Sequence, residues 1–198
     1  MKIRHAIIAV VLTFSLWGGS EAVQDGTPET PVRFKCPNLE AIVRKALKKP
    51  NDTVTRKDLA TMKHLLGVRE EISDLSGLEY ATNLTYLSLH NNHITDISPL
   101  TRLTKLNQLY LHNNRITNLT PLAGLTKLIS LHLSNNQITG IGPLAGLTRL
   151  EKLDLTNNQI TDISPLSDLN KLDLLVLGYN QITDLTPLKG LINLTKLY

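Results

Sequence analysis

The chain has 198 residues, of which 41% are hydrophobic but only 4% aromatic, and its formal net charge is +4. This length predicts a single domain, and the only cysteine, Cys36, excludes a disulfide within the chain. The basic excess lies between Arg33 and Arg69, whereas residues 72–198 are neutral overall.

The first 22 residues have the pattern of a secretory signal. Lys2 and Arg4 precede a mostly apolar run from Ala6 to Trp17, and small residues precede a potential cleavage point after Ala22. The run is too short to span a membrane. We therefore predict a signal peptide at residues 1–22 and a secreted, periplasmic or cell-surface location; a retained amphipathic or membrane-anchoring helix is the alternative.

Residues 23–36 combine glycine and proline with polar residues and are predicted to be a flexible leader in which Cys36 is buried or inert. Residues 37–71 are predicted to be a helical N-terminal cap. Apolar residues at helical spacing predict one helix between Pro37 and Pro50, and the stretch from Thr55 to Asp58 resembles a capping box that opens a second helix. The basic charges suit the solvent face of these helices, and binding to an anionic surface is the alternative.

Residues 72–198 repeat a unit of 22 residues. The spacing is kept by five asparagines and five prolines: Asn92, Asn114, Asn136, Asn158, Asn180, Pro99, Pro121, Pro143, Pro165 and Pro187. Full repeats begin at Leu84, Leu106, Leu128, Leu150 and Leu172. The pattern L-x-x-L-x-L-x-x-N-x-I/L at this period is the leucine-rich repeat signature.

Each position of the repeat has an expected structural role. The L-x-L pair predicts a short strand that lies beside the same strand of the next repeat. The asparagines are expected to form a buried ladder bonded to backbone groups of adjacent turns. Asp96, Asp162 and Asp184 are expected to bond local backbone amides. The predicted fold is an α/β solenoid, a leucine-rich repeat horseshoe with a parallel concave β-sheet and an N-terminal helical cap.

The repeat unit, with endings such as the one from Ile94 to Leu100, is similar to the internalin-like leucine-rich repeats of bacterial surface and secreted proteins. The resemblance extends from about Pro37 to Tyr198. It implies a curved solenoid that binds a protein partner on its concave face.

The outward strand positions line that face, and we predict that they bind a partner because tyrosine and histidine combine contact area with hydrogen bonding. The alternative for any single position is a tolerated solvent-facing residue. The predicted partner-binding residues are Tyr86, Ser88, His90, Gln108, Tyr110, His112, Ser130, His132, Lys152, Asp154, Val176 and Tyr179.

A glycan- or metal-binding protein that uses the Tyr/His patch is the alternative function. His90 and His112 occupy the same position in adjacent repeats, so their side chains are expected to approach each other. Imidazolium neighbours would repel below about pH 6.5, which predicts a pH-responsive surface. No catalytic motif appears in a convincing context, so we expect no enzyme activity, no cofactor and no nucleic-acid partner.

A sixth repeat begins at Leu194 and stops at Tyr198. Four apolar residues are therefore expected near an uncovered edge: Ile182, Leu185, Leu188 and Leu191. This predicts a fragment of a longer chain or end-to-end self-association through the last repeat.

Overall fold

The computed structural model describes residues 27–198, so the predicted signal peptide lies outside the described residues. Two α-helices come first, α1 (Pro37–Leu47) and α2 (Arg56–Thr61). One parallel sheet follows, with its strands side by side in chain order. The strands are β1 (His64–Leu66), β2 (Tyr86–Ser88), β3 (Gln108–Tyr110), β4 (Ser130–His132), β5 (Lys152–Asp154), β6 (Leu174–Val176) and β7 (Lys196–Leu197).

Short 3-10 helices carry the chain back on the opposite side of the solenoid. They span Leu78–Tyr80, Ser98–Arg102, Thr120–Leu122, Gly142–Leu144, Ser164–Leu166 and Thr186–Gly190. In the last five the repeated proline lies in the first turn, where its fixed φ suits the turn and its missing N–H costs no hydrogen bond. Among residues 27–198 there is no helix of the length and apolar character that a membrane crossing requires.

The core is one continuous stack of leucine and isoleucine side chains. Leu87, Leu109 and Leu131 are aligned across β2, β3 and β4, and all three are fully buried. Each inward side chain is covered by its counterparts in the repeats before and after it. No repeat could bury its apolar residues alone, so the predicted solenoid is confirmed.

The cap closes the start of the stack. Helix α1 begins at Pro37 and buries Leu39 and Val43 completely. The predicted capping box is present at the start of α2, where the amide of Thr55 donates to Asp58 Oδ2 (2.8 Å) and the amide of Asp58 donates to Thr55 Oγ1 (3.3 Å). The cap also supplies β1, in which Leu65 lies opposite Leu87 of the first full repeat.

The segment predicted as a flexible leader differs from that expectation in the part that the structure describes. Pro31 forms an antiparallel bridge with Thr55, and the amide of Val32 donates to the carbonyl of Val54 (2.8 Å). Val32 and Phe34 pack against the core, and Cys36 is buried at 6% exposure. Apolar side chains within the proline-containing segment therefore attach it to the cap.

The asparagine ladder is confirmed. Asn114 Nδ2 donates to the carbonyls of Leu111 (2.9 Å) and Leu89 (3.0 Å), and its Oδ1 accepts from the amide of Ile94 (3.0 Å). The equivalent asparagines repeat this pattern, so each joins its own turn to the turn before it. The predicted aspartate turns are also present, with Oδ1 of Asp96, Asp162 and Asp184 accepting the amides of Ser98, Ser164 and Thr186.

The last complete repeat is less covered than the others. Leu185 is 55% exposed, and Ile182 and Leu188 are half-buried. Leu191, in contrast, is 5% exposed. The exposed apolar residues here also include Ile192, Leu197 and Tyr198, so the edge extends from the outer turn to the last strand.

Candidate functional site

The concave face is formed by the outward side chains of the strands. Because the strands pair in register, equivalent residues form rows across the sheet. One row is His64, Tyr86, Gln108, Ser130, Lys152 and Leu174, and the next is Leu66, Ser88, Tyr110, His132, Asp154 and Val176. His90 and His112 each lie two residues beyond the ends of β2 and β3. The N-terminal half of the face is therefore rich in aromatic and imidazole rings.

Six of these rings contact one another, and we call them the ring face: His64, Tyr86, His90, Tyr110, His112 and His132. His90 stacks on His112 with centroids 4.1 Å apart, and Tyr110 stacks on His132 at 4.7 Å. Edge-on and tilted contacts of 5.5–6.5 Å link these two pairs to each other and to the remaining rings. The expected approach of His90 and His112 is thus present.

Two predicted contact residues, Ser88 and Ser130, are buried beneath the rings. Ser88 Oγ lies 2.9 Å from His90 Nδ1, and Ser130 Oγ lies 3.0 Å from His132 Nε2. A serine is too short to reach the surface between two large rings. These serines therefore orient the imidazoles, which corrects the expectation that they are exposed.

The other predicted residues fall outside the ring cluster. Gln108 and Lys152 are exposed on the sheet, Asp154 and Val176 are half-buried, and Asp154 Oδ1 accepts hydrogen bonds from Thr156. Tyr179 is 85% exposed but lies in the turn after β6.

The turn position of Tyr179 has a left-handed backbone, with φ of +57°. The equivalent residues are Asn91, Asn113, Asn135 and Asn157, all with positive φ. Asparagine tolerates this region better than other non-glycine residues. This second asparagine series also keeps the spacing of 22 residues, but its left-handed turn was not predicted from the sequence.

His64 is the ring that the sequence reasoning missed. It belongs to the cap, where Glu70 replaces the repeated asparagine and conceals the register. Counting back 22 residues from Tyr86 would have identified it, since the two residues are direct strand partners.

Three histidines of the ring face, His90, His112 and His132, favour their neutral form. Burial lowers the pKa of His90, His112 and His132 below the usual value of 6.5. Positive charge near each ring adds to the effect: Arg69 at His90, the two other histidines at His112, and Lys152 at His132. Asp154 opposes it, with Oδ2 lying 4.0 Å from His132 Nδ1. At neutral pH these three rings are therefore uncharged and suited to π contacts and hydrogen bonds.

We predict that acidification from pH 7.5 to pH 5 lowers the melting temperature. Folding lowers the pKa of these histidines, so as the pH falls below 6.5 the unfolded chain binds protons before the folded chain does. The free energy of unfolding therefore decreases as the pH falls toward the lowered pKa of the folded state, whereas above pH 6.5 these histidines do not destabilise the fold. Asp74 and Asp184 do not contribute in this window, since hydrogen bonds from Ser76 and Thr186 lower their pKa values from 3.8. Calorimetry of His112→Gln should show a smaller decrease in melting temperature between pH 7.5 and pH 5. An equal decrease would show that protonation of His112 does not cause the loss of stability.

The ring face lacks the usual features of a metal centre. In the part of the chain that the structure describes, no three histidine, cysteine or carboxylate side chains are placed to hold a metal ion. Asp154, whose Oδ2 lies 4.0 Å from His132 Nδ1, is already engaged by Thr156.

Comparisons with known proteins agree with this architecture. The family model described as leucine-rich repeats (two copies) matches residues 82–124 and again residues 126–168. No curated protein sequence matches the chain. Among solved structures, the internalin inlF of Listeria monocytogenes is 34% identical with a TM-score of 0.70; the match covers 85% of this chain, which spans 58% of that internalin.

Two further structures are similar. A leucine-rich-repeat protein of Leptospira interrogans is 28% identical with a TM-score of 0.61, and the match covers 71% of this chain and 38% of the Leptospira chain. Internalin C2 of Listeria monocytogenes is 34% identical with a TM-score of 0.61, over 88% of this chain and 99% of its own length. On the strength of that near-complete match, the chain belongs to the internalin family of leucine-rich-repeat proteins.

Proposed function

We propose that this protein is a secreted or cell-surface module that binds a protein partner through its concave face. The observation that carries the proposal is the ring face, which gathers four rings on the adjacent strands β1 to β4 and two more rings just beyond β2 and β3. Aromatic residues are enriched at the energetic centres of protein interfaces. Leucine-rich repeats of the internalin type are interaction modules without enzymatic activity, which supports the same conclusion.

Preorganisation also supports binding at this surface. Tyr110 is held between Tyr86 and His132, and its hydroxyl donates to Gln108 Oε1 (3.2 Å). Side chains that are already ordered lose less conformational entropy when a partner binds. Beyond the rings lie the charged residues Lys152 and Asp154 and the apolar Val176. Their different chemistry would fix the orientation in which a partner binds.

Glycan binding is the second candidate, because stacked rings also suit the apolar face of a sugar. The two functions are distinguished by His90→Ala combined with His112→Ala, which removes the 4.1 Å stack. We expect affinity capture from the native extracellular milieu to yield a protein partner, and this variant to weaken its capture. If the variant lost sugar binding but still captured the protein partner, the ring face would be a glycan site and the protein-binding proposal would be wrong.

The location and the self-association are parts of this proposal with separate tests. Export is tested by recovering the chain from the culture medium or cell surface with its first 22 residues removed. Self-association through the exposed edge near Leu185 is tested by light scattering over a range of concentrations. A strictly monomeric protein would count against it.

A further inference from the structure

A groove of about 400 Å³ lies at the N-terminal rim of the concave sheet, between helix α1 and strand β1. Helix α1 contributes Ala41, Ile42, Lys45 and Ala46, and β1 contributes His64 and Leu66. Leu66 is 62% exposed, whereas its neighbour in the same strand, Leu65, is buried at 1%. An apolar side chain is thus presented to solvent inside a concave site.

Within residues 27–198, strand β1 is the first strand of the sheet and pairs with β2 alone. The carbonyl of Lys63 and the amide of Gly67 bond to β2 residues and so point toward β2. Backbone groups alternate in direction along a strand, so those of His64 and Leu66 point away from β2. Among residues 27–198, neither of these two residues makes a backbone hydrogen bond on that side. The free edge therefore opens into the groove.

The groove is bordered by positive charge. Lys45 and Lys48 make no ion pair within the described part of the chain, unlike Arg44 and Lys49, which bind Glu40 and Asp58. A second hollow of about 420 Å³ shares Ala41 and Lys45 with the groove and extends to Lys48. Glu70 lies in the lining of the groove as a single carboxylate. An acidic group would be attracted to the α1 side.

We propose that an extended peptide segment of a protein partner adds to the free edge of β1 as a further strand. The segment pairs with the backbone of His64 and Leu66, places an aliphatic side chain in the groove against Leu66, and directs a carboxylate toward Lys45 and Lys48. Strand addition of this kind takes affinity from main-chain hydrogen bonds and selectivity from the side-chain pocket. It goes beyond the ring-face interaction and does not depend on it.

The dimensions are consistent with a short segment. Three residues of an extended strand span roughly 10 Å at about 3.3 Å per residue, which matches the three residues of β1. An exposed strand edge also forms unwanted contacts unless it is covered or charged. Lys45 and Lys48 would repel a basic segment and attract an acidic one.

Hydrogen exchange of the full chain with the capped peptide Asp-Val-Leu-Val-Thr tests the proposal. At saturating peptide, the amides of His64 and Leu66 should exchange about tenfold more slowly, the effect of about one net hydrogen bond each. The amide of Leu65 faces β2 and should not change, which provides an internal control. A peptide with lysine in place of aspartate should bind several-fold more weakly.

Two variants locate the effect. Ala46→Trp fills the groove from an exposed position of α1 and should abolish the protection, whereas Ala123→Trp makes the same change on the outer side and should preserve it. Tyr110→Ala should leave peptide binding unchanged, so that failure of the ring-face proposal is recognised separately.

Four results would overturn the proposal. The first is no protection at millimolar peptide, and the second is protection that survives Ala46→Trp. The third is protection in the free chain that is lost when residues 1–26 are deleted, which would make the chain's own segment the occupant. The fourth is protection that rises with protein concentration, which would make a second copy the occupant.

Discussion

Replacing Asn136 with alanine is expected to lower the free energy of unfolding by about 3 kcal/mol. Asn136 is buried, and its Oδ1 is the acceptor for the amide of Ile116 (3.0 Å). Its Nδ2 donates to the carbonyls of Leu111 (3.1 Å) and Leu133 (3.0 Å). Alanine leaves the amide of Ile116 without its partner in the core, which costs more than the hydrogen bond itself contributes.

The two carbonyls lose less, because each also accepts from another ladder asparagine: Leu111 from Asn114, and Leu133 from Asn158. The principal cost is therefore one unsatisfied amide and a small cavity.

Asn180→Ala is the matched control. Asn180 makes the same set of bonds, with Oδ1 3.1 Å from the amide of Ile160, but it is only half-buried. Water can replace its bonds, so we expect a loss of about 1 kcal/mol. Urea denaturation followed by circular dichroism measures both. Equal losses, or a loss below about 1 kcal/mol for Asn136→Ala, would show that the ladder is not a buried structural element.

Replacing Tyr110 with alanine is expected to weaken partner binding by about 30-fold, or about 2 kcal/mol. Tyr110 is the central ring of the site, with centroids 5.5 Å from Tyr86 and 4.7 Å from His132. Its removal eliminates contact area and frees both neighbours. Because the ring is only half-buried, the change should affect the stability of the fold much less than it affects affinity.

Tyr110→Phe separates the ring from its hydroxyl. The stacking contacts are kept, and only the hydrogen bond to Gln108 is lost, so we expect a reduction in affinity of no more than about fivefold. Calorimetric titration with the captured partner gives both values. If Tyr110→Ala bound as tightly as the original chain, Tyr110 would not be part of the interface.

The period of 22 residues was sufficient to predict the fold and part of the site. It places equivalent residues in the same row of a parallel sheet, so the adjacency of His90 and His112 followed from the sequence. The period also predicted the role of Asn114 and its counterparts, because a polar residue repeated within the apolar spacing must be bonded to backbone groups.

What the period could not predict is how side chains cover one another within a row. The burial of Ser88 and Ser130 depends on the rotamers of the neighbouring histidines, which no spacing specifies. His64 was missed because the cap preserves the strand but not the asparagine that marks it. The packing of Val32 on the cap was missed for a similar reason, since composition describes a segment but not its tertiary contacts.

Site-specific photo-crosslinking identifies which face of the protein contacts the partner. A benzophenone side chain is placed at Gln108, which is exposed on the concave face beside the rings, and in a second chain at Ala123, which is exposed on the outer side. With the native partner present, we expect a crosslinked product from position 108 and none from position 123. A product from position 123 alone would place the interface on the opposite face, and binding through the concave face would be wrong.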